Sequence, residues 1–175
     1  MPYVGRGGYK LEKALKFFKI DLNGKVVADI GASTGGFTDC ALQNGAVKVY
    51  AIDVGTNQLD WKLRTDQRVI NMEKTNIKLV TLETLGEPVD FVCTDISFIS
   101  VTKIIPAVKS ILKPDGSIAA LIKPQFEAGR EKVGKGGIVR DPEVHKEVIR
   151  DTLKTFEESG YFCWGLTYSP IKGGS

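Results

Sequence analysis

Val26-Val-Ala-Asp-Ile-Gly-Ala-Ser-Thr-Gly-Gly-Phe37 is the stretch on which the fold turns. Val26 to Ile30 reads as a short buried strand, because brief apolar runs bounded by glycine are how parallel strands inside an α/β sheet look. A glycine-rich turn follows and then a helix from about Thr34. Gly31, Gly35 and Gly36 are expected to permit φ > 0 and to let a ligand approach where a Cβ would obstruct it. The helix start offers backbone N–H groups suited to a polar or anionic group such as a carboxylate.

Two nucleotide-type cofactors use such a corner, and spacing separates them. The dinucleotide fingerprint G-x-G-x-x-G needs a glycine at its middle place, where this chain has Ser33. An acid near the strand end, Asp29, followed by G-x-x-x-G-G resembles instead the first motif of S-adenosylmethionine (SAM)-dependent methyltransferases. The next strand, Val47 to Ile52, ends in Asp53, 22 residues beyond Gly31. A carboxylate there can accept hydrogen bonds from both hydroxyls of a cofactor ribose.

Working outward, Leu11, Ala14, Leu15 and Phe18 repeat at helical spacing, with Lys10, Lys13 and Lys16 off that stripe. Downstream come a short helical piece around Leu59 to Leu63, a strand at Arg68–Met72 and a strand at Val89–Asp95. A helix over about Val101 to Leu112 ends at the turn signal Lys113-Pro-Asp-Gly116. Strand five spans Ser117 to Ile122 and leads into Lys123-Pro124. Residues 125–141 read as a long loop with four glycines and four basic residues, and loops of that length are commonly functional. Asp141-Pro142 opens a helix as N-cap and first residue, and Gly160 closes it. Phe162 to Thr167 reads as a sixth strand. This alternation predicts a doubly wound, mainly parallel sheet with helices on both faces. Ligands collect at the C-terminal strand ends of such sheets, where Asp29, Asp53, Asp95 and Lys123 fall.

The totals narrow the function classes. With 175 residues, 42% hydrophobic and 26% charged, the chain is an ordinary globular domain. It has no apolar run of membrane-spanning length and no signal-peptide pattern at its start. Cys40, Cys93 and Cys163 form neither a metal spacing nor a disulfide framework, so no metal is expected, and a reduced cytoplasm is the simplest setting. Residues 1–25 carry six lysines or arginines against two acids, a balance that suits a polyanion such as RNA or, equally, the solvated face of a helix.

Five segments together resemble the TlyA (haemolysin A) family, a branch of the FtsJ-like ribosomal RNA 2′-O-methyltransferases. They are Arg6-Gly-Gly-Tyr-Lys-Leu-Glu-Lys-Ala-Leu15, Asp29-Ile-Gly-Ala-Ser-Thr-Gly-Gly-Phe-Thr-Asp39, Val54-Gly-Thr-Asn-Gln-Leu59, Asp95-Ile-Ser-Phe-Ile-Ser100 and Ile122-Lys-Pro-Gln-Phe-Glu-Ala-Gly129. The resemblance implies a Rossmann-like methyltransferase domain over residues 1–175 that uses SAM to methylate a ribose 2′-hydroxyl of ribosomal RNA, for TlyA relatives a cytidine. The implied partners are ribosomal RNA or ribosomal subunits.

By motif position it also implies catalytic Lys10, Asp95 and Lys123. The cofactor would be held by Asp29, Gly31, Ser33, Gly35, Gly36, Phe37, Asp53, Val54, Glu73 and Asp95. The family's fourth catalytic residue, a glutamate after a Ser-Pro turn, has no counterpart past Ser169-Pro170. Its last antiparallel strand and its N-terminal S4-type RNA-binding domain also have none, so a core trimmed at both ends is expected.

In the implied reaction Lys123 is the base, which requires a neutral amine favoured by desolvation and by cationic neighbours such as Lys10. Asp95 orients the two lysines. Arg6, Arg130, Lys132, Lys135 and Arg140 are the expected contacts to RNA phosphate, and Trp61, Phe98 and Phe126 could stack on bases, although Phe98 suits the core better. Three other readings compete: a SAM- and RNA-binding module inactive without the glutamate, a membrane-active haemolysin, and a dinucleotide oxidoreductase, which Ser33 disfavours.

Overall fold

A computed structural model of the chain describes residues 2–96, 99–129, 141–167 and 169. Five parallel strands form one sheet in the order β3-β2-β1-β4-β5. They are β1 (Val26–Ile30), β2 (Lys48–Ile52), β3 (Val69–Met72), β4 (Val89–Thr94) and β5 (Leu112–Ala120). The helices are α1 (Gly7–Phe17), α2 (Gly36–Gln43), α3 (Trp61–Arg64), α4 (Leu82–Leu85), α5 (Ile105–Ile111), α6 (Pro124–Glu127) and α7 (Pro142–Glu158).

Strand alternation sorts side chains onto two cores. Val27, Val49 and Phe91 face a cluster built with Leu11 and Leu15 of α1, Cys40 and Ala41 of α2, and Leu63 of α3. Ala28, Ile30, Tyr50, Ile52 and Val92 face the opposite cluster, with Leu85 of α4 and Val108 and Ile111 of α5. Both faces of β1 and β4 are therefore covered, which is why these strands read as continuous apolar runs. Phe156 of α7 joins the second cluster. Among the described residues, no helix is long and apolar enough to cross a membrane.

Three expectations change. Strand β5 begins at Leu112, not Ser117, and ends at Ala120. Leu112 already pairs with Val89, and Ser117 pairs with Phe91, so Lys113-Pro-Asp-Gly116 is a bulge inside the strand's span rather than the boundary before it. The helix expected over Val101 to Leu112 opens as a 3₁₀ turn, Val101–Ile104, before α5. Phe162 to Thr167 forms no strand; Phe162, Trp164 and Leu166 are all exposed. A strand forms by bonding to a neighbour, and among the described residues no strand pairs with this segment.

Candidate active site

Strand β1 hands over to the turn under close control. The N–H groups of Gly31 and Ala32 both donate to the Ile52 carbonyl, at 2.8 and 3.1 Å. Gly31 and Gly35 take φ of +82° and +104°, and so, less usually, does Ser33 at +52°. Ser33 therefore occupies the left-handed region with a side chain in place, which costs roughly 1–2 kcal/mol. Its N–H donates to Asp53 Oδ2 at 2.7 Å, while the Gly55 N–H donates to Asp53 Oδ1 at 2.8 Å. Asp53 thus ties the end of β2 to the turn after β1. Helix α2 begins at Gly36 with no side-chain cap from Gly35.

The turn glycines are required by packing within the chain itself. A Cβ on Gly31 would stand 2.8 Å from the Asp95 carbonyl oxygen. On Gly35 it would run into Leu63 and come 2.8 Å from Leu59 Cδ1. Gly36 has no positive φ; it lies in α2, and a Cβ there would stand 2.8 Å from the Gly8 nitrogen. Gly36 is therefore what lets α1 and its preceding segment sit directly against α2. Asp39 completes that join by accepting the Val4 N–H at 2.8 Å.

Helix α1 is thereby set so that Lys10 reaches the sheet's C-terminal edge. Lys10 Nζ lies 3.9 Å from Asp95 Oδ2, and Lys123 Nζ lies 2.5 Å from Asp95 Oδ1. All three side chains are largely buried, with relative exposures of 16%, 22% and 19% for Lys10, Asp95 and Lys123. Lys123 Nζ also stands 5.8 Å from the centre of the Phe126 ring. One carboxylate thus serves two cations, brought together from α1, the end of β4 and the segment after β5.

Asp29 lies beneath this group, fully buried within β1. Its Oδ2 accepts the Thr38 hydroxyl at 2.7 Å, while Oδ1 has no hydrogen-bond partner among the described residues. Burial pushes its carboxyl up to about 7, and the Asp95 and Asp53 charges add to the rise. Glu73 lies beyond β3, where Asn71 donates to it at 2.8 Å and Arg64 pairs with it. Asn71, the Asn57 backbone and Arg64 hold it below the usual carboxylate range. Val54 and Trp61 are apolar and strongly exposed near the same edge, at 73% and 75%; Phe37 is buried in the core instead.

Arg6 is exposed at the start of α1, one turn before Lys10. Phe98, Arg130, Lys132, Lys135, Arg140 and the segment from Pro170 lie outside the described residues. Thr38 and Arg64 contact the candidate residues Asp29 and Glu73, although no sequence pattern marked them. Thr38 lies nine residues from Asp29 across the glycine turn, and only the three-dimensional turn makes them neighbours.

A five-stranded parallel sheet whose strand ends carry a glycine turn, Asp53 and a Lys-Asp-Lys group has the architecture of a nucleotide-binding α/β domain. The family model for FtsJ-like methyltransferases matches residues 3–175, and the chain belongs to that family. It is 56% identical over 99% of its length to YqxC of Bacillus subtilis, which carries an rRNA methyltransferase name, and spans 62% of that protein. The 16S/23S rRNA (cytidine-2′-O)-methyltransferase TlyA of Mycobacterium tuberculosis is 43% identical over 99% of this chain and 65% of its own. A solved Lactococcus lactis structure bearing a hemolysin name superposes with a TM-score of 0.96 at 56% identity, over 99% of this chain and 84% of that one. The chain thus spans a little under two thirds of the two curated relatives.

Proposed function

We propose that this chain transfers a methyl group from SAM to a ribose 2′-hydroxyl of ribosomal RNA, with cytidine the nucleoside modified. The observation that carries the reading is Asp95 holding Lys10 and Lys123 beside the Gly31 turn. The residues fit SAM. The buried, partnerless Asp29 Oδ1 favours a cationic ligand nearby. The uncapped start of α2 suits a carboxylate, and the exposed Val54 offers an apolar surface to an adenine.

In this reading Asp53 receives the cofactor's ribose hydroxyls, and the Gly31–Phe37 turn takes its methionine end. Glu73, fixed by Asn71 and Arg64, meets the adenine amino group. When bound, SAM would supply a methyl group made electrophilic by its sulfonium, the S–CH3 bond breaking as the O–CH3 bond forms and S-adenosylhomocysteine leaving. Lys123, in its neutral-amine form after giving up its own proton to solvent, would take the proton of the attacking 2′-hydroxyl, with Asp95 keeping that amine in place. Lys10, on the other carboxylate oxygen, stabilises the charge that develops there. Much of the rate comes from holding the two reactants in line. Arg6 and the basic residues Arg130, Lys132, Lys135 and Arg140 bind phosphates and set the RNA register.

The test pairs two measurements on wild type and Lys123→Ala. Calorimetry should give SAM binding in both proteins and no NAD binding in either. Methyl transfer to ribosomal RNA should be lost only in the variant. Loss of SAM binding together with turnover would remove Lys123 from the role of base, and SAM binding without turnover in wild type would favour a binding module.

A further inference from the structure

The ladder between β4 and β5 stops short of the Lys-Asp-Lys group. Its last pair is Thr94 with Ala120, extended by the Leu121 N–H donating to the Thr94 carbonyl at 3.1 Å. Asp95 and Lys123 both lie past that point, on separate connections. One side chain joins those connections again. Glu127, at the end of α6, accepts the Ser100 hydroxyl at 2.5 Å on Oε2 and the Val101 N–H at 2.7 Å on Oε1. Ser100 in turn caps the 3₁₀ turn by accepting the Thr102 N–H at 3.1 Å. The orphan donors at that helical start are thus satisfied from the neighbouring connection, by charge-assisted bonds, the stronger kind.

We infer that Glu127 is a positioning residue for methyl transfer, clasping the connection after β4 to the connection after β5 so that Lys123 is held against Asp95. The inference rests on the proposed role of Lys123. The loop is closed at both ends: by the β4–β5 ladder at its base and by the Glu127 carboxylate at its tip. Between them Lys123 is four residues from Glu127, and Asp95 five from Ser100. With the clasp gone, the separation is left to the ion pair and to the looser packing of Ile122 and Ala128 against Val144 and Val148 of α7.

The experiment compares Glu127→Ala, Glu127→Gln and Asp95→Asn in the full protein. Single-turnover methylation by Glu127→Ala should fall by roughly a hundredfold, the penalty for a small misplacement of reacting groups, with SAM affinity within about twofold. Glu127→Gln can still accept from Val101 with its oxygen and should recover most of the rate. The Lys123 side-chain NMR resonance at fixed pH provides a readout independent of RNA. Asp95→Asn gives its position with the pair broken; Glu127→Ala should move at least half-way there and Glu127→Gln stay near wild type. If the resonance stays put in Glu127→Ala, the clasp is overturned even where the rate falls. If the resonance moves while wild type methylates no RNA, the clasp stands and the assigned reaction fails. Should Glu127→Ala not fold, Ser100→Ala, which removes one of the two bonds, must show a partial shift.

Discussion

Asp29→Asn separates the electrostatic cost of the site from its packing. The wild-type carboxyl is raised from its ordinary value of 3.8 to about 7, first by burial and then by Asp95 and Asp53. The folded state therefore binds a proton that the unfolded chain releases near pH 4, so this group's contribution is largest below pH 4 and declines through pH 7. At about 1.4 kcal/mol per pH unit the decline amounts to about 4 kcal/mol, a large part of a typical domain's roughly 5–15 kcal/mol.

Asparagine keeps the Thr38 bond but leaves an amide in place of the partnerless Oδ1, a constant cost of about 1–3 kcal/mol. Urea unfolding at pH 4.5, 6 and 7.5 should show wild type losing stability relative to the variant as pH rises, with a crossing or near-crossing by pH 7.5. Asp66, Glu87 and Asp90, held below their ordinary values by Arg68, Lys48 and Lys113, contribute with the opposite sign and only below about pH 4. His145, the sequence's single histidine, is common to both proteins and cancels in the difference. Parallel curves for the two proteins would refute the reasoning.

Gly36→Ala should destabilise by about 1–3 kcal/mol, since the methyl must displace the Gly8 backbone; an unchanged denaturation midpoint would show that α1 does not rest there. Asp53→Ala should weaken SAM binding by at least tenfold in calorimetry and free the Ser33 amide, seen as faster hydrogen exchange at that N–H; affinity unchanged would exclude Asp53 as the ribose partner. SAM, a cation, should flatten the wild-type pH slope ascribed to Asp29, and a slope insensitive to saturating SAM would place the cofactor away from that carboxyl. Affinity for ribosomal RNA should fall steeply with salt, as phosphate contacts require; salt-insensitive binding would contradict the basic-residue assignment.

Local signals carried the centre of the fold. The apolar run of β1 and the glycine turn are both short-range features, and Gly31 takes φ of +82° as such a turn requires. Asp141 caps α7 by accepting the Glu143 N–H, again within two residues. Lys10 is different: its helix period marks it only as off the apolar stripe, and its link to Asp95 came from the family resemblance. The Glu127–Ser100 bond spans 27 residues and two connections, so no periodicity could announce it.

Turn chemistry misled at Lys113-Pro-Asp-Gly116. Those residues do leave the ladder, but Leu112 before them is already paired. β propensity misled at Phe162 to Thr167, where a run of apolar and aromatic residues has no pairing strand among the described residues. The glycine turn was found for a partly different reason from the one that holds it: Gly35 and Gly36 make room for Leu59, Leu63 and the segment before α1.

Nucleoside mass spectrometry on ribosomal RNA incubated with this protein and methyl-labelled SAM tests methyl transfer to a ribose most directly. Wild type should place label in 2′-O-methylcytidine and Lys123→Ala none. Label on a base, or no label in RNA although SAM binds, would contradict the proposed reaction.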